Sequence, residues 1–164
     1  HAPQKGFDLL IKAWAKTKVD GWKLRIVGSG DDKPANMKLA KDLGVTDRIE
    51  FTEAIPNIAH EFQSASCFVL SSRFEGLVLV LIEAKMMGLP CISFDCPNSP
   101  REVIRDGVDG WLVSNGDTDA LAECLSLRLS NLNVLREAGR SARLDAMERY
   151  SSECVLSKWL SLFS

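Results

Sequence analysis

The chain has 164 residues, of which 46% are hydrophobic and 26% are charged, and its formal net charge is -2. This length suffices for one domain whose core needs no disulfide support. The near-neutral charge excludes a global basic field that would recruit nucleic acid or an anionic membrane. No apolar run approaches the roughly 20 residues that span a bilayer, and no signal peptide is recognisable. Because the chain opens on His1 rather than Met, we expect a piece of a longer protein.

Five cysteines are present, and none of them has a Cys-x-x-Cys spacing. Cys67 and Cys91 lie in apolar runs, where cysteine behaves as a small hydrophobic residue. With two histidines as possible co-ligands, a zinc site is not expected. The composition therefore favours reduced, buried thiols and a cytoplasmic protein.

Hydrophobic spacing and turn residues predict helices that alternate with short strands. From Phe7 to Trp14, apolar residues recur at i, i+3, i+4 and i+7, which indicates an amphipathic helix. Next we predict a strand at 23–27, a helix from Pro34 to Gly44, strands at 49–52 and 67–70, and a helix at 58–65 between those two strands. A helix from about Val78 to 88–90 precedes strands at 91–94 and 111–113, although 77–82 would also suit a strand.

Helices at 117–129, 133–149 and 152–163 complete the prediction, and the last is expected to bury Val155, Leu156, Trp159, Leu160 and Phe163. Strands and helices in this order are typical of an α/β domain with a doubly wound, Rossmann-like parallel sheet covered by helices on both faces. We predict one such domain over residues 1–164. Ligands of such sheets bind beyond the carboxyl ends of the strands, so the loops 28–32, 71–76 and 95–101 are candidate sites.

Two glutamates accompany the second of these loops. Glu75 follows the strand that ends at Leu70, and Glu83 comes eight residues later in the next helix. A carboxylate accepts two hydroxyl hydrogen bonds at once, so this pair suits a ligand rich in hydroxyl groups. Gly76 allows a close approach of backbone to ligand, and the N–H groups after it suit a diphosphate. Alternatively, both glutamates are solvated or helix-capping carboxylates.

The segment from Ser71 to Ala84 (SSRFEGLVLVLIEA) resembles the Glu-x7-Glu signature of the family-4 retaining glycosyltransferases, which have the GT-B fold. Residues 5–10 (KGFDLL) resemble the family's opening Lys-Gly motif, and residues 26–30 (IVGSG) resemble its second strand and glycine turn. Segments 88–93 (GLPCIS), 95–104 (DCPNSPREVI) and 106–113 (DGVDGWLV) follow in the family's order. Each motif alone is weak, whereas the ordered set covers nearly the whole chain.

The resemblance implies that the chain is the C-terminal, donor-binding domain of such an enzyme. Glu75 resembles the catalytic-site acid beside the reacting carbon of the donor sugar, and Glu83 resembles the acid that holds the ribose. Lys5 resembles the lysine that neutralises the diphosphate together with an upstream arginine. The further donor-binding positions that the resemblance implies are Gly28, Gly30, Ile55 (at the base), Gly76, Leu77, Val78 and Leu79. Gly28 and Gly30 would also suit a plain turn.

The chain departs from the family pattern at a few positions. Leu77 and Val78 replace an aromatic and a small residue, and the bulk of Val78 is expected to crowd a phosphate. Glu53 replaces the usual glycine after the third strand. The family's first strand, whose arginine completes the phosphate clamp, would precede His1 and lie in the middle of the sheet. If no strand occupies this central position, the backbone N–H and C=O groups of both neighbouring strands are left unpaired. We therefore predict a gap, or a strand supplied from elsewhere, between the strands at 23–27 and 67–70.

The implied function is retaining transfer of a hexosyl group from a nucleotide sugar, with a UDP-sugar favoured, in bacterial surface polysaccharide or glycan synthesis. The implied acceptor is a saccharide or a lipid-linked saccharide. An N-terminal domain of the same protein would complete the site, so this piece alone should be nearly inactive. No cofactor, metal or nucleic acid is expected, since Lys5 and helix termini serve the phosphates. The expected location is cytoplasmic, with the full-length protein as a candidate for peripheral association at the inner face of the membrane.

Two rival hypotheses come from other functional classes. The first is a nucleotide- or sugar-binding module without catalysis. The second is a dehydrogenase-like enzyme, which is disfavoured because Lys33 stands where the glycine-rich dinucleotide motif needs its third glycine.

Overall fold

The computed structural model describes residues 2–98 and 100–162, with the backbone but not the side chain of Lys158. Its α-helices are α1 (Phe7–Lys16), α2 (Lys33–Asp42), α3 (Ala59–Ser64), α4 (Leu79–Met86), α5 (Pro100–Val103), α6 (Thr118–Leu129), α7 (Leu132–Tyr150) and α8 (Ser152–Leu160). Its strands are β1 (Leu24–Val27), β2 (Ile49–Thr52), β3 (Phe68–Leu70), β4 (Cys91–Asp95) and β5 (Gly110–Ser114). Short 3-10 turns at Pro3–Lys5 and Thr46–Arg48 precede α1 and β2.

The strands form two parallel sheets. One contains β1 and β2, with Leu24 opposite Ile49, and the other has the order β3-β4-β5. Within the described residues β1 and β3 do not pair with each other. The predicted gap between these two strands is therefore confirmed, and the segment that fills it stays a prediction.

Helices cover both faces of the strands, as predicted, and the alternation of side chains along β4 divides the core in two. Ile92 and Phe94 join the apolar residues of α1, β1, β2 and α6, whereas Cys91 joins those of α3, α4 and α5. A strand with a helix layer on each side buries both of its faces, which explains why β4 is apolar without interruption. The doubly wound α/β class is confirmed.

The structure also corrects some details of the predicted elements. The short helix α5 was not predicted, whereas residues 77–82 form a loop and the start of α4, which confirms the predicted helix over the alternative strand. The expectation that α8 buries its apolar side is wrong for Leu156 and Trp159, since Trp159 is 59% exposed. Val155 and Leu160 are exposed as well, and Phe163 lies outside the described residues. In the described part of the chain, no helix has both the length and the apolar character needed to cross a bilayer.

Candidate functional site

The turn before α1 and the loop after β3 meet at two side chains. Lys5 Nζ lies 2.8 Å from Glu75 Oε1, and Ser72 Oγ donates to the same oxygen at 2.6 Å. The Glu75 side chain is 8% exposed and that of Lys5 is 43% exposed. A largely buried carboxylate is thus held by a cation that still reaches solvent. The structure brings together two residues that are 70 positions apart in the sequence.

The Lys-Gly sequence at positions 5 and 6 has a direct steric explanation. Gly6 has a φ of 61°, in the left-handed region that glycine tolerates. A Cβ at this position would stand 2.0 Å from the carbonyl oxygen of Ser71, so a larger residue would push the turn away from β3. Ser71 Oγ in turn donates to the Lys5 carbonyl at 2.9 Å. The backbone around Lys5 is therefore packed directly on the loop that bears Glu75.

Arg73 makes further bonds between the same two segments, and sequence reasoning missed its role. Its backbone N–H donates to the Gln4 carbonyl at 2.8 Å, and its Nη1 donates to the Pro3 carbonyl at 2.7 Å. Its guanidinium binds both carboxylate oxygens of Asp8, at 2.9 and 2.8 Å. Hydrogen bonds from Arg73 lower the pKa of Asp8, although partial burial opposes this. The sequence contained one signal for this interaction. The SRFEG motif carries an arginine and the KGFD motif carries an aspartate, and the two side chains have opposite charges.

The helix α4 begins beside Glu75. Val78 is its N-cap residue and is 1% exposed, because its side chain packs into the apolar core with α3, α4 and α5. The expectation that its bulk crowds a phosphate is therefore wrong for the side chain. Leu77 and Leu79 are exposed at the loop, and the Leu79 N–H already donates to the Leu77 carbonyl at 3.0 Å. Glu83 is exposed in the second turn of α4 and makes no ion pair with any residue that the structure describes.

The predicted glycine turn follows β1. Gly28 and Gly30 have φ angles of 146° and 137°, and the Gly28 N–H donates to the Thr52 carbonyl at 3.1 Å. Ile55 lies in the loop after β2 and is partly exposed. The pKa of Arg73 is raised mainly by its hydrogen bonds to Asp8, with a smaller contribution from the charge of Asp32. The binding roles of Gly28, Gly30 and Ile55 stay predictions.

The third candidate loop, after β4, also reaches Glu75. The Glu75 N–H donates to the Pro97 carbonyl at 3.4 Å. Burial raises the pKa of the adjacent Cys96, and the negative charge of Glu75 adds to this effect. Arg101 binds the Asp95 carboxylate through Nε at 2.9 Å and through Nη2, so it is engaged in a local ion pair. Glu75 thus lies where the loops after β3 and β4 and the turn before α1 converge.

Asp117 and Asp119 have a spacing that is compatible with shared metal binding, but both have structural partners. Asp117 is the N-cap of α6 and accepts the N–H groups of Asp119 and Ala120 at 3.0 and 2.9 Å. Asp119 accepts a hydrogen bond from Lys16 Nζ at 2.6 Å. These contacts assign the pair to helix capping and to packing of α6 on α1.

Comparison with known proteins places this arrangement in a family. Residues 1–131 match the family model described as "Glycosyl transferases group 1". The chain is 34% identical over 165 residues to an exopolysaccharide phosphotransferase of Streptomyces coelicolor, a match that covers 99% of this chain and 17% of that protein. It is 31% identical over 156 residues to the amylovoran biosynthesis glycosyltransferase AmsD of Erwinia amylovora, covering 95% of this chain and 44% of that protein.

The fold agrees with solved structures of glycosyltransferases. The chain superposes on S. aureus TarM with a TM-score of 0.92 and 28% sequence identity, over 99% of this chain and 34% of that one. It spans less than half the length of the two relatives and of TarM. Because the family model covers well over half of the chain, this protein belongs to the group 1 glycosyltransferases, which have the GT-B fold.

Proposed function

We propose that this chain is the C-terminal, donor-binding domain of a retaining glycosyltransferase that transfers a hexosyl group from a UDP-sugar. The observation that carries the proposal is the 2.8 Å contact between Lys5 Nζ and Glu75 Oε1. It sets a cation suited to a diphosphate beside a carboxylate suited to sugar hydroxyls. The TarM structure contains UDP and alpha-GlcNAc-glycerol, which supports a nucleotide-sugar donor and a saccharide acceptor here.

The two residues would serve opposite ends of the bond that breaks. The bond from the anomeric carbon to the diphosphate oxygen breaks with both electrons on the diphosphate, and Lys5 stabilises the charge that develops there. The acceptor hydroxyl oxygen bonds to the anomeric carbon on the same face, and its proton passes to the departing diphosphate. Glu75 accepts hydrogen bonds from the sugar hydroxyls and holds the ring in place. Because Glu75 is nearly buried, it would do so with little competition from water.

The neighbouring positions would hold the rest of the donor. Glu83, exposed on α4, would accept the ribose hydroxyls, and the backbone from Gly76 to Leu79 would approach the phosphates. Gly28 and Gly30 would allow close approach at the end of β1, with Ile55 beside the base. An N-terminal domain of the longer protein would supply the acceptor site. The acceptor would be a saccharide or a lipid-linked saccharide, and AmsD, a relative named for amylovoran biosynthesis, supports a role in bacterial polysaccharide synthesis. Work on a lipid-linked acceptor would place the full-length enzyme at the inner face of the membrane.

The test uses the full-length protein with UDP-, GDP- and ADP-sugars, and with Glu75→Gln and Glu123→Gln as matched variants. Glu123 is exposed on α6 and is not part of any of the loops that converge at Glu75. We expect Glu75→Gln to lower transfer about 100-fold or more, with UDP affinity within about fivefold of wild type, and Glu123→Gln to change neither. NMR of the product should show the anomeric configuration of the donor. An inverted product, or full transfer by Glu75→Gln, would contradict the proposal.

The alternative is a nucleotide- or sugar-binding module without catalysis. The same experiment separates the two functions, because such a module binds UDP or a UDP-sugar yet neither transfers nor hydrolyses any donor. The partial exposure of Lys5 does not distinguish the binding module from the enzyme. The near-complete burial of Glu75 beside it favours the enzyme.

A further inference from the structure

We propose that Arg73 and Asp8 form a positioning pair that sets the distance between Lys5 and Glu75. This inference rests on the proposed function, since it concerns the geometry of the same site. Neither residue touches the carboxylate of Glu75 or the ammonium of Lys5 in the described contacts. The pair would act through the backbone segments that carry these two residues.

The geometry makes Arg73 the junction of three segments. Its side chain and backbone N–H bind the turn before α1 through the Pro3 and Gln4 carbonyls, and its guanidinium binds the Asp8 carboxylate in the first turn of α1. Its own carbonyl accepts a hydrogen bond from Asn115 Nδ2 at 3.2 Å, from the loop after β5. Arg73 precedes Glu75 by two residues, and Asp8 follows Lys5 by three residues. A shift at this junction therefore moves Lys5 and Glu75 relative to each other.

The chemistry of the pair demands arginine at position 73. A guanidinium presents parallel N–H donors that match both oxygens of a carboxylate, whereas an ammonium is a point charge without a fixed direction. Arg73 uses this fork on Asp8 while Nη1 also reaches the Pro3 carbonyl. Lys12 Nζ lies 3.8 Å from Asp8 Oδ2 and supplies charge but no such fork. A lysine at position 73 would keep the charge and lose the orientation.

The Arg73–Asp8 pair should matter more for turnover than for donor binding. Lys5 alone can attract a diphosphate from a loose turn, because Coulomb attraction has little directional requirement. Transfer requires the diphosphate and the sugar to be aligned together, and a misplacement of about 1 Å costs on the order of 100-fold in rate. Loss of the Arg73–Asp8 pair should therefore lower kcat far more than it raises KM for the donor.

The experiment compares Arg73→Lys, Asp8→Asn and the double variant in the full-length protein, with Arg25→Lys as the control. Arg25 has similar exposure and pairs with Glu50 and Glu61, on β2 and α3. We expect each single variant to lower kcat about 10- to 100-fold, with KM within about threefold. The double variant should lose no more than the worse single variant, because both remove one interaction. Arg25→Lys should leave kcat and KM unchanged.

A second readout does not depend on turnover. Hydrogen exchange of the peptide that covers Gln4 to Gly6 should accelerate in Arg73→Lys and Asp8→Asn, whereas strand β4 should exchange as in wild type. Unchanged exchange at Gln4 to Gly6, additive losses in the double variant, or equal changes in Arg25→Lys would each overturn the inference. A wild-type protein that binds UDP but transfers nothing would instead overturn the proposed function. The exchange data would still test whether the Arg73–Asp8 pair positions the turn before α1.

Discussion

Lys85 Nζ lies 2.5 Å from Asp145 Oδ2 in a fully buried contact that joins α4 to α7. The same ammonium lies 3.1 Å from Asp109 Oδ2 and donates to the Val103 carbonyl at 2.5 Å. Its three N–H donors therefore have three acceptors, as a buried ammonium requires. Because Lys85 is two residues from Glu83, this cluster anchors the helix that carries the second predicted donor-binding acid.

Replacement of Lys85 by Met should destabilise the fold strongly. The change removes the buried ammonium from Asp109 and Asp145 and leaves them to the half-exposed Arg105, which also pairs with both. Loss of one partner of a buried ion pair costs about 3–5 kcal/mol. Urea unfolding at pH 7 measures the effect. The control is Lys38→Met, whose i,i+4 pair with Asp42 is exposed and should contribute about 0.5 kcal/mol or less. Equal losses in the two variants would show that the cluster does not stabilise the fold.

The stability of the protein should fall in acid partly through Asp145. Burial alone would raise the pKa of Asp145, but the hydrogen bond and charge of Lys85, with Arg105 and Arg149, lower it below 3.8. A lowered folded-state pKa contributes stability that is present above the unfolded value and is lost as the pH falls through the folded value. Unfolding free energies measured from pH 7 down to pH 2 should therefore decline below about pH 4. The decline should be shallower in Asp145→Asn, and identical curves would contradict this assignment.

The sequence predicts the order of elements well because the apolar periodicity and the turn residues are local signals. The strand at Ile49–Thr52 matches its prediction, as does the capping of α6 by Asp117. The sequence does not reveal which side of a loop faces the core. Val78 illustrates this point, since its bulk suggested a crowded phosphate although its side chain is buried beneath the loop. Trp159 illustrates the converse, because a helical apolar spacing does not specify what covers the helix.

The family resemblance predicted that Lys5 and Glu75 belong to one site. It did not predict the interactions that hold these two residues in place. The Arg73–Asp8 pair depends on the docking of two turns whose conformations follow from contacts 65 positions apart. A charged residue such as Lys85 in a short helix gives no local sign that it is buried. Both interactions arise from tertiary packing, which overrides the usual expectation that charges are solvated.

Gly6→Ala should disrupt the site, because a Cβ there would stand 2.0 Å from the Ser71 carbonyl oxygen. The positive φ adds a penalty of about 1–2 kcal/mol. We expect Lys5 to move away from Glu75 and transfer by the full-length protein to fall at least tenfold. Gly21→Ala is the matched control, since Gly21 has a φ of 76° with nothing within 4 Å of the added Cβ. Similar activity losses in both variants would indicate backbone strain rather than the Ser71 contact.

Glu83→Gln should weaken donor binding without affecting the fold. The side chain is exposed and has no ion pair in the described part of the chain, so the free energy of unfolding should change by about 0.5 kcal/mol or less. A hydrogen bond to a charged acceptor contributes about 1.5–3 kcal/mol, which predicts UDP binding weaker by at least roughly tenfold. Isothermal titration calorimetry with UDP measures this in the full-length protein. Unchanged affinity would remove Glu83 from the ribose site.

The gap between β1 and β3 makes a prediction for individual backbone amides. The Gly28 N–H bonds to β2 and the Phe68 N–H bonds to the Pro90 carbonyl, on the β4 side. Because strand amides alternate in direction, the N–H groups of Arg25, Val27 and Val69 point into the gap. If the longer protein supplies the middle strand, these three amides should exchange slowly in it.

Hydrogen exchange followed by NMR tests this in the full-length protein, with the amides of Ile26 and Phe68 as internal references on the paired sides. We expect Arg25, Val27 and Val69 to be protected to a similar degree as these references. In the piece that contains residues 1–164 alone, the same three amides should exchange faster, since unpaired strand edges are open to water. Fast exchange of the three amides in the full-length protein would show that no strand occupies the gap. Equally slow exchange in the shorter piece would mean that the two sheets close on each other without one.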